Sequence, residues 1–94
     1  MRWHALAVSL EDGASWAGRR FHLSPQRLSL LHHLARRAPG VVCRDALFLS
    51  SLNEDTYGEM LTAQICLLNR ALRQHGIPLA VVNQRAVGYR LRLV

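Results

Sequence analysis

Arginine is the residue type through which this sequence can do chemistry. All twelve of its basic residues are Arg and none is Lys, against six acids, for a formal charge of +6 over 94 residues. A guanidinium is a permanent cation with a planar fork of donors suited to phosphate. The surplus therefore points to a polyanionic partner, such as nucleic acid or an anionic membrane surface. Arg70 and Arg73 stand three residues apart, one helical turn, so both can hold a phosphate backbone from one helix face. Gln64 lies about two turns before them and carries the carboxamide that can pair with an adenine edge if it points outward, although its wheel position is on the flank.

Other reactive types lead nowhere catalytic. Cys43 and Cys66 make no disulfide framework and read as ordinary reduced thiols. His32 and His33 are adjacent, so on a helix they point about 100° apart, and no Cys or Asp lies at ligand spacing; no metal is expected. There is no glycine-rich phosphate loop and no Ser or Cys in a nucleophile motif, and the few acids sit in turns or at helix starts. The expected protein is not an enzyme and uses no cofactor. Half the residues are hydrophobic and 19% are charged, the composition of a globular fold. Residues 1–94 read as a single domain without repeat or linker. No signal peptide and no run of 18 apolar residues is present, so the expectation is a cytoplasmic protein with no membrane partner.

The elements that must position these residues follow from the pattern. Trp3 to Leu10 is apolar with alternation at Leu6, Val8 and Leu10, and reads as a strand. Glu11-Asp12-Gly13 supplies a tight turn in which Asp-Gly takes the positive-φ positions. Ala14 to Trp16 and Arg20 to Leu23 give two more short strands around an Ala17-Gly18-Arg19 turn. Ser24-Pro25 starts a helix, with Ser able to cap free N–H groups and Pro at the first helical position. Leu28, Leu31, Leu34 and Ala35 fall at helical spacing, with Leu30 beside them, and Pro39-Gly40 ends it. Val41-Val42 reads as an extended link. A second helix covers Arg44 to Leu52, with Ala46, Leu47 and one of Leu49 or Ser50 inward. Asn53 to Gly58 reads as a loop. A third helix runs from Glu59 to His75, with Leu61, Ile65, Leu68 and Leu72 in one narrow sector and Gly76 as its C-cap. Leu79–Asn83 and Gly88–Val94 form a C-terminal hairpin. The fold class is α+β, a winged helix-turn-helix: an N-terminal antiparallel sheet, three helices and a β-hairpin wing.

Four stretches, in this order and spacing, resemble the OmpR/PhoB-type winged-helix effector domain of bacterial response regulators in two-component systems. Leu23-Ser24-Pro25-Gln26-Arg27-Leu28-Ser29-Leu30-Leu31 is similar to the family's L-T-x-x-E-F-x-L-L. Pro39-Gly40-Val41-Val42-Cys43-Arg44-Asp45-Ala46-Leu47 is similar to P-x-x-V-x-S-R-E-x-L. Ile65-Cys66-Leu67-Leu68-Asn69-Arg70-Ala71-Leu72 follows I-x-x-L-R-K-K-L, and Arg85-Ala86-Val87-Gly88-Tyr89-Arg90-Leu91 resembles R-G-x-G-Y-R-F. The resemblance implies a transcriptional regulator module that binds double-stranded DNA, with the third helix in the major groove and the wing toward the minor groove. The family usually carries a receiver domain before this module. Met1 lies a few residues before the first strand, so a module without a receiver is expected, standing alone or excised.

By resemblance, Arg85 is the wing arginine that can enter a minor groove. Tyr89 is the wing tyrosine, half in the core with its hydroxyl available to a phosphate, and Arg90 follows it. Arg44 sits at the start of the second helix and can pair with Asp45 or Glu54 as readily as with DNA. Cys66 and Leu67 stand where the family places basic residues, and Asn69 replaces a third. Arg27 stands where the family has Glu, so it cannot accept the reciprocal bond of a capping box. The expected DNA-binding set is Arg70, Arg73, Arg85, Tyr89, Arg90, Gln64, Asn69 and Arg44. The second reading is that Ala63, Cys66 and Leu67 form a small apolar patch on the third helix, the interface core of a protein-interaction module or homodimer.

Overall fold

A computed structural model describes residues 5–38, 40–51 and 59–94. Three short strands come first: β1 (Leu6–Ser9), β2 (Gly13–Trp16) and β3 (Arg19–Phe21). They form an antiparallel sheet in the order β1-β2-β3. The β1–β2 turn differs from expectation: Gly13 alone takes a positive φ there, at 92°, and Ser9 Oγ accepts the N–H groups of Glu11 and Asp12. The β2–β3 turn does place two successive residues, Ala17 and Gly18, at positive φ, as a two-residue hairpin requires.

Helix α1 (Pro25–Arg37) begins where Ser24-Pro25 predicts, but the Ser24 side chain makes no capping bond. Only its carbonyl takes part, accepting the Leu28 N–H at 2.8 Å. The missing reciprocal acceptor at Arg27 agrees with this, since no acid lies in the first turn. Helix α2 (Arg44–Ser51) and helix α3 (Glu59–Gln74) follow. The C-terminus of α3 is closed by Gly76 at φ +71°. The Gly76 N–H bonds the Arg73 carbonyl at 3.0 Å and the Ile77 N–H bonds that of Leu72 at 2.9 Å. These are the two bonds of a Schellman cap, and Ile77 is buried beside it.

The expected link at Val41-Val42 is more than a link. Val42–Cys43 forms strand β4, which pairs with β6 (Gly88–Leu93); β6 in turn pairs with β5 (Leu79–Gln84), giving the order β4-β6-β5. A two-residue strand has no periodicity to read, so only its partner defines it.

One core joins all layers. Leu30, Leu31 and Leu34 of α1, Leu47 of α2, and Leu61, Ile65, Leu68 and Leu72 of α3 are buried, together with Leu79, Val81, Tyr89 and Leu91 of the second sheet and Ala14 and Phe21 of the first. Leu28 only packs against this cluster half-buried, and Leu30 takes the fully buried place. The Phe21 and His75 rings, 5.6 Å apart, tie the first sheet to the end of α3. Among the described residues no helix is long and apolar enough to cross a membrane. The expected start of the first strand at Trp3, Pro39, the Asn53–Gly58 loop with Leu52, and the side chains of Leu49, Ser50 and Glu59 lie outside what is described.

His33 on α1 is held below its ordinary pKa, first by burial and then by its neighbours Arg36, Arg37 and His32. A lowered native pKa means the unfolded chain binds more protons, so stability is lost as pH falls through about 6.5 toward the native value. His33→Gln should flatten that loss in denaturant melts taken between neutral pH and pH 5.

Candidate nucleic-acid interface

The α3 side chains divide cleanly around the helix. Leu61, Gln64, Ile65, Leu68 and Leu72 are buried, while Thr62, Ala63, Cys66, Arg70 and Arg73 are exposed. Arg70 and Arg73 thus stand on the open face, and among the described residues neither guanidinium has a hydrogen-bonded or ionic partner. Two unpaired guanidinia one turn apart present a fixed positive edge with up to ten N–H donors, about five on each.

Two expected base readers are not available. Gln64 is 9% exposed, and its Oε1 is buried without a partner among the described residues. The wheel places it about 70° from the centre of the stripe of Leu61, Ile65, Leu68 and Leu72, a flank that packing turns inward. Asn69 is committed elsewhere. Its Nδ2 donates to the Val81 carbonyl at 3.0 Å and its Oδ1 accepts the Val81 N–H at 2.7 Å. Val81 lies on β5, the edge strand, so Asn69 satisfies both of that residue's outward backbone groups and locks α3 to the sheet. This bond pair explains a carboxamide where the resembling family has a cation.

The proposed apolar patch is narrower than expected. Cys66 is exposed on the side of α3 that faces β5, lining a groove with Asn69, Arg70, Arg73, Ile77, Pro78, Leu79, Ala80 and Val94. Leu67 is half-buried, about 100° further round the helix, and Ala63 lies exposed between them. Ala63 and Cys66 thus form the exposed part of this patch, with Leu67 at its half-buried edge rather than fully exposed.

On the wing, Arg85 is exposed in the turn between β5 and β6. The turn is closed by the Val87 N–H bonding the Gln84 carbonyl at 2.9 Å, with Ala86 in the left-handed region at φ +65°. Alanine stands here where the R-G-x-G pattern has glycine, and a Cβ in this conformation costs on the order of 1 kcal/mol. Ala86→Gly should stabilise the domain by about 0.5 kcal/mol, the strain relieved being partly offset by the more flexible unfolded chain. Urea midpoints of the two proteins at constant m-value check this; a lower midpoint for the glycine variant would show the turn is unstrained.

Tyr89 is only 5% exposed and belongs to the core, opposite Val42, rather than standing half out toward a phosphate. Arg90 is half-buried on the other face, opposite Val82, with its Nε buried and unpartnered among the described residues. Arg92, two residues on, is exposed on that same face. Sequence reasoning passed over Arg92, although the period-two spacing from Arg90 was the signal that could have found it. Arg44 is exposed as the first residue of α2, and pairs with Asp45 in no described contact. Glu54 lies outside the described residues. The structure thus leaves Arg44, Arg70, Arg73 and Arg85 as exposed cations on α2, α3 and the wing turn.

Residues 18–91 match the family model described as transcriptional regulatory protein, C terminal. The fold superposes on the DNA-binding domain of the response regulator AdeR, solved in complex with an intercistronic region: the TM-score is 0.81 at 18% identity, over 96% of this chain and 95% of that one. It also superposes on the DNA-binding domain of CpxR from E. coli, with a TM-score of 0.74 at 26% identity over 97% of this chain and 93% of that one. No curated protein matches the chain.

Proposed function

The chain belongs to the family of transcriptional regulatory protein C-terminal domains, and from this premise we propose that it binds double-stranded DNA as the output module of a transcriptional regulator. Helix α3 enters the major groove and the β5–β6 turn reaches the adjacent minor groove. The likeness to the DNA-binding domains of CpxR and AdeR supports this reading. The observation that carries it is the set of exposed, unpartnered arginines, Arg70 and Arg73 on α3 and Arg85 at the wing turn.

The chemistry is backbone-weighted. Arg70 and Arg73 neutralise phosphates along the major groove, Arg85 enters the minor groove, and Arg44 at the start of α2 adds a phosphate contact. With Gln64 buried and Asn69 bonded to Val81, α3 brings few groups to base edges. Affinity then exceeds sequence discrimination. The protein-interaction reading is the weaker one, because Leu67 is half-buried and only Ala63 and Cys66 of its patch are exposed.

A mobility-shift titration with random duplex over a salt range tests this. Four arginine contacts give a slope of log K against log salt of about −3.6. Absence of any shift at low salt, with a folded protein, would reject the DNA reading.

A further inference from the structure

The groove between α3 and the outer edge of β5 has an open volume of about 590 Å³. Its floor is apolar: Ile77 and Leu79 are buried there, and Pro78, Ala80 and Val94 complete it. Its α3 wall carries Cys66, Arg70 and Arg73. A strand added to β5 is disfavoured, because Asn69 already occupies the N–H and carbonyl of Val81 on that edge. A DNA duplex can place phosphates at the arginine rim but is too wide to reach the floor. The remaining fit is a small anion with a hydrocarbon tail. Its carboxylate takes the forked donors of the guanidinia, its tail covers the apolar floor, and the volume is in the ordinary range of small-ligand sites, roughly 300–1,000 Å³.

We propose that this groove binds a free medium-chain carboxylate, which competes with DNA for Arg70 and Arg73. The competition rests on the DNA reading above; the binding does not. A ligand that binds only the DNA-free protein lowers apparent DNA affinity by the factor 1 + [L]/Kd. The groove would then make the DNA-binding face itself responsive to a metabolite.

Octanoate is the probe, titrated into the full chain without DNA and followed by ligand-observed NMR. Saturable binding is expected with a Kd of about 0.1–1 mM, the scale open to a ligand of this size. Acetate, which lacks the tail, and octanol, which lacks the charge, should each bind roughly tenfold more weakly or worse. Arg73→Gln should weaken octanoate roughly tenfold with an unchanged melting temperature. Ala80→Glu, which sets a carboxylate on the floor, should abolish binding. In a second arm, octanoate but not equimolar acetate should release bound duplex.

Non-saturable octanoate binding, or octanol binding as tightly as octanoate, would overturn the proposal without recourse to any variant. So would binding to phosphatidylglycerol vesicles with none to monomeric octanoate, which would assign the surface to a lipid bilayer. Octanoate binding with the duplex fully retained would overturn the competition. Should the protein bind no DNA at all, the DNA reading fails, and the DNA-free titration still decides the groove.

Discussion

Replacing Arg70, Arg73 and Arg85 together by Ala should reduce DNA affinity by roughly 10²–10³-fold at 0.1 M salt. The magnitude follows from counterion release. Each neutralised phosphate contributes close to one unit to the salt slope, and at 0.1 M that amounts to somewhat under about tenfold in affinity. The three residues are exposed and take no part in the core, so the variant should fold with an unchanged melting temperature. The slope should flatten by about three units relative to the unmodified protein. A variant that keeps its slope while losing affinity would mean that the arginines act through protein structure rather than on phosphates. Retained affinity and slope together would move the interface off α3 and the wing turn altogether.

Gly88→Ala should be the most damaging single methyl group in the chain. Gly88 pairs with Cys43 across β4–β6, and a Cβ at position 88 would overlap the Val42 carbonyl oxygen and lie 2.8 Å from the Cys43 Cα. Both obstacles are backbone, so no rotamer change can make room. Strand β4 would have to separate from β6, breaking a pairing that connects the end of α1 and the start of α2 to the wing. The expected loss is roughly 3 kcal/mol or more. In a domain of this size that lowers the melting temperature by about 10–20 °C. Thermal melts by circular dichroism measure it. An unchanged midpoint would show that β4 does not lie against Gly88. DNA affinity should fall as well, because Arg85 and Arg44 are held at their separation by this junction.

The same glycine shows how far local sequence reaches. In the R-G-x-G-Y pattern two glycines are expected, and this chain retains only the second. The first is required by backbone conformation, and Ala86 meets that requirement at the cost of a positive φ. The second is required by a neighbour that arrives from 45 residues earlier in the chain. A strained turn can accept one methyl group, whereas two abutting backbones cannot.

The sequence by itself determined most of the elements and most of the core. Period 3.6 in Leu61, Ile65, Leu68 and Leu72, the Ser24-Pro25 start, the Gly76 stop and the alternating hairpin are all local signals, and each lies where the pattern placed it. It also determined the cationic character and, through Arg70, Arg73 and Arg85, most of the exposed positive edge. Only the tertiary structure decided what the polar side chains between those arginines do. Gln64 sits at the border of the helical stripe, where packing against neighbours sets inward or outward. Asn69 meets its partner Val81 twelve residues away, across a helix-to-strand connection whose geometry no local pattern encodes. Tyr89 is apolar or polar according to what faces it, and here Val42 of an unforeseen strand does. Amphipathic and carboxamide side chains have two stable environments of similar free energy, so long-range contacts choose between them. A guanidinium on an exposed helix face has one, and could be read without the fold.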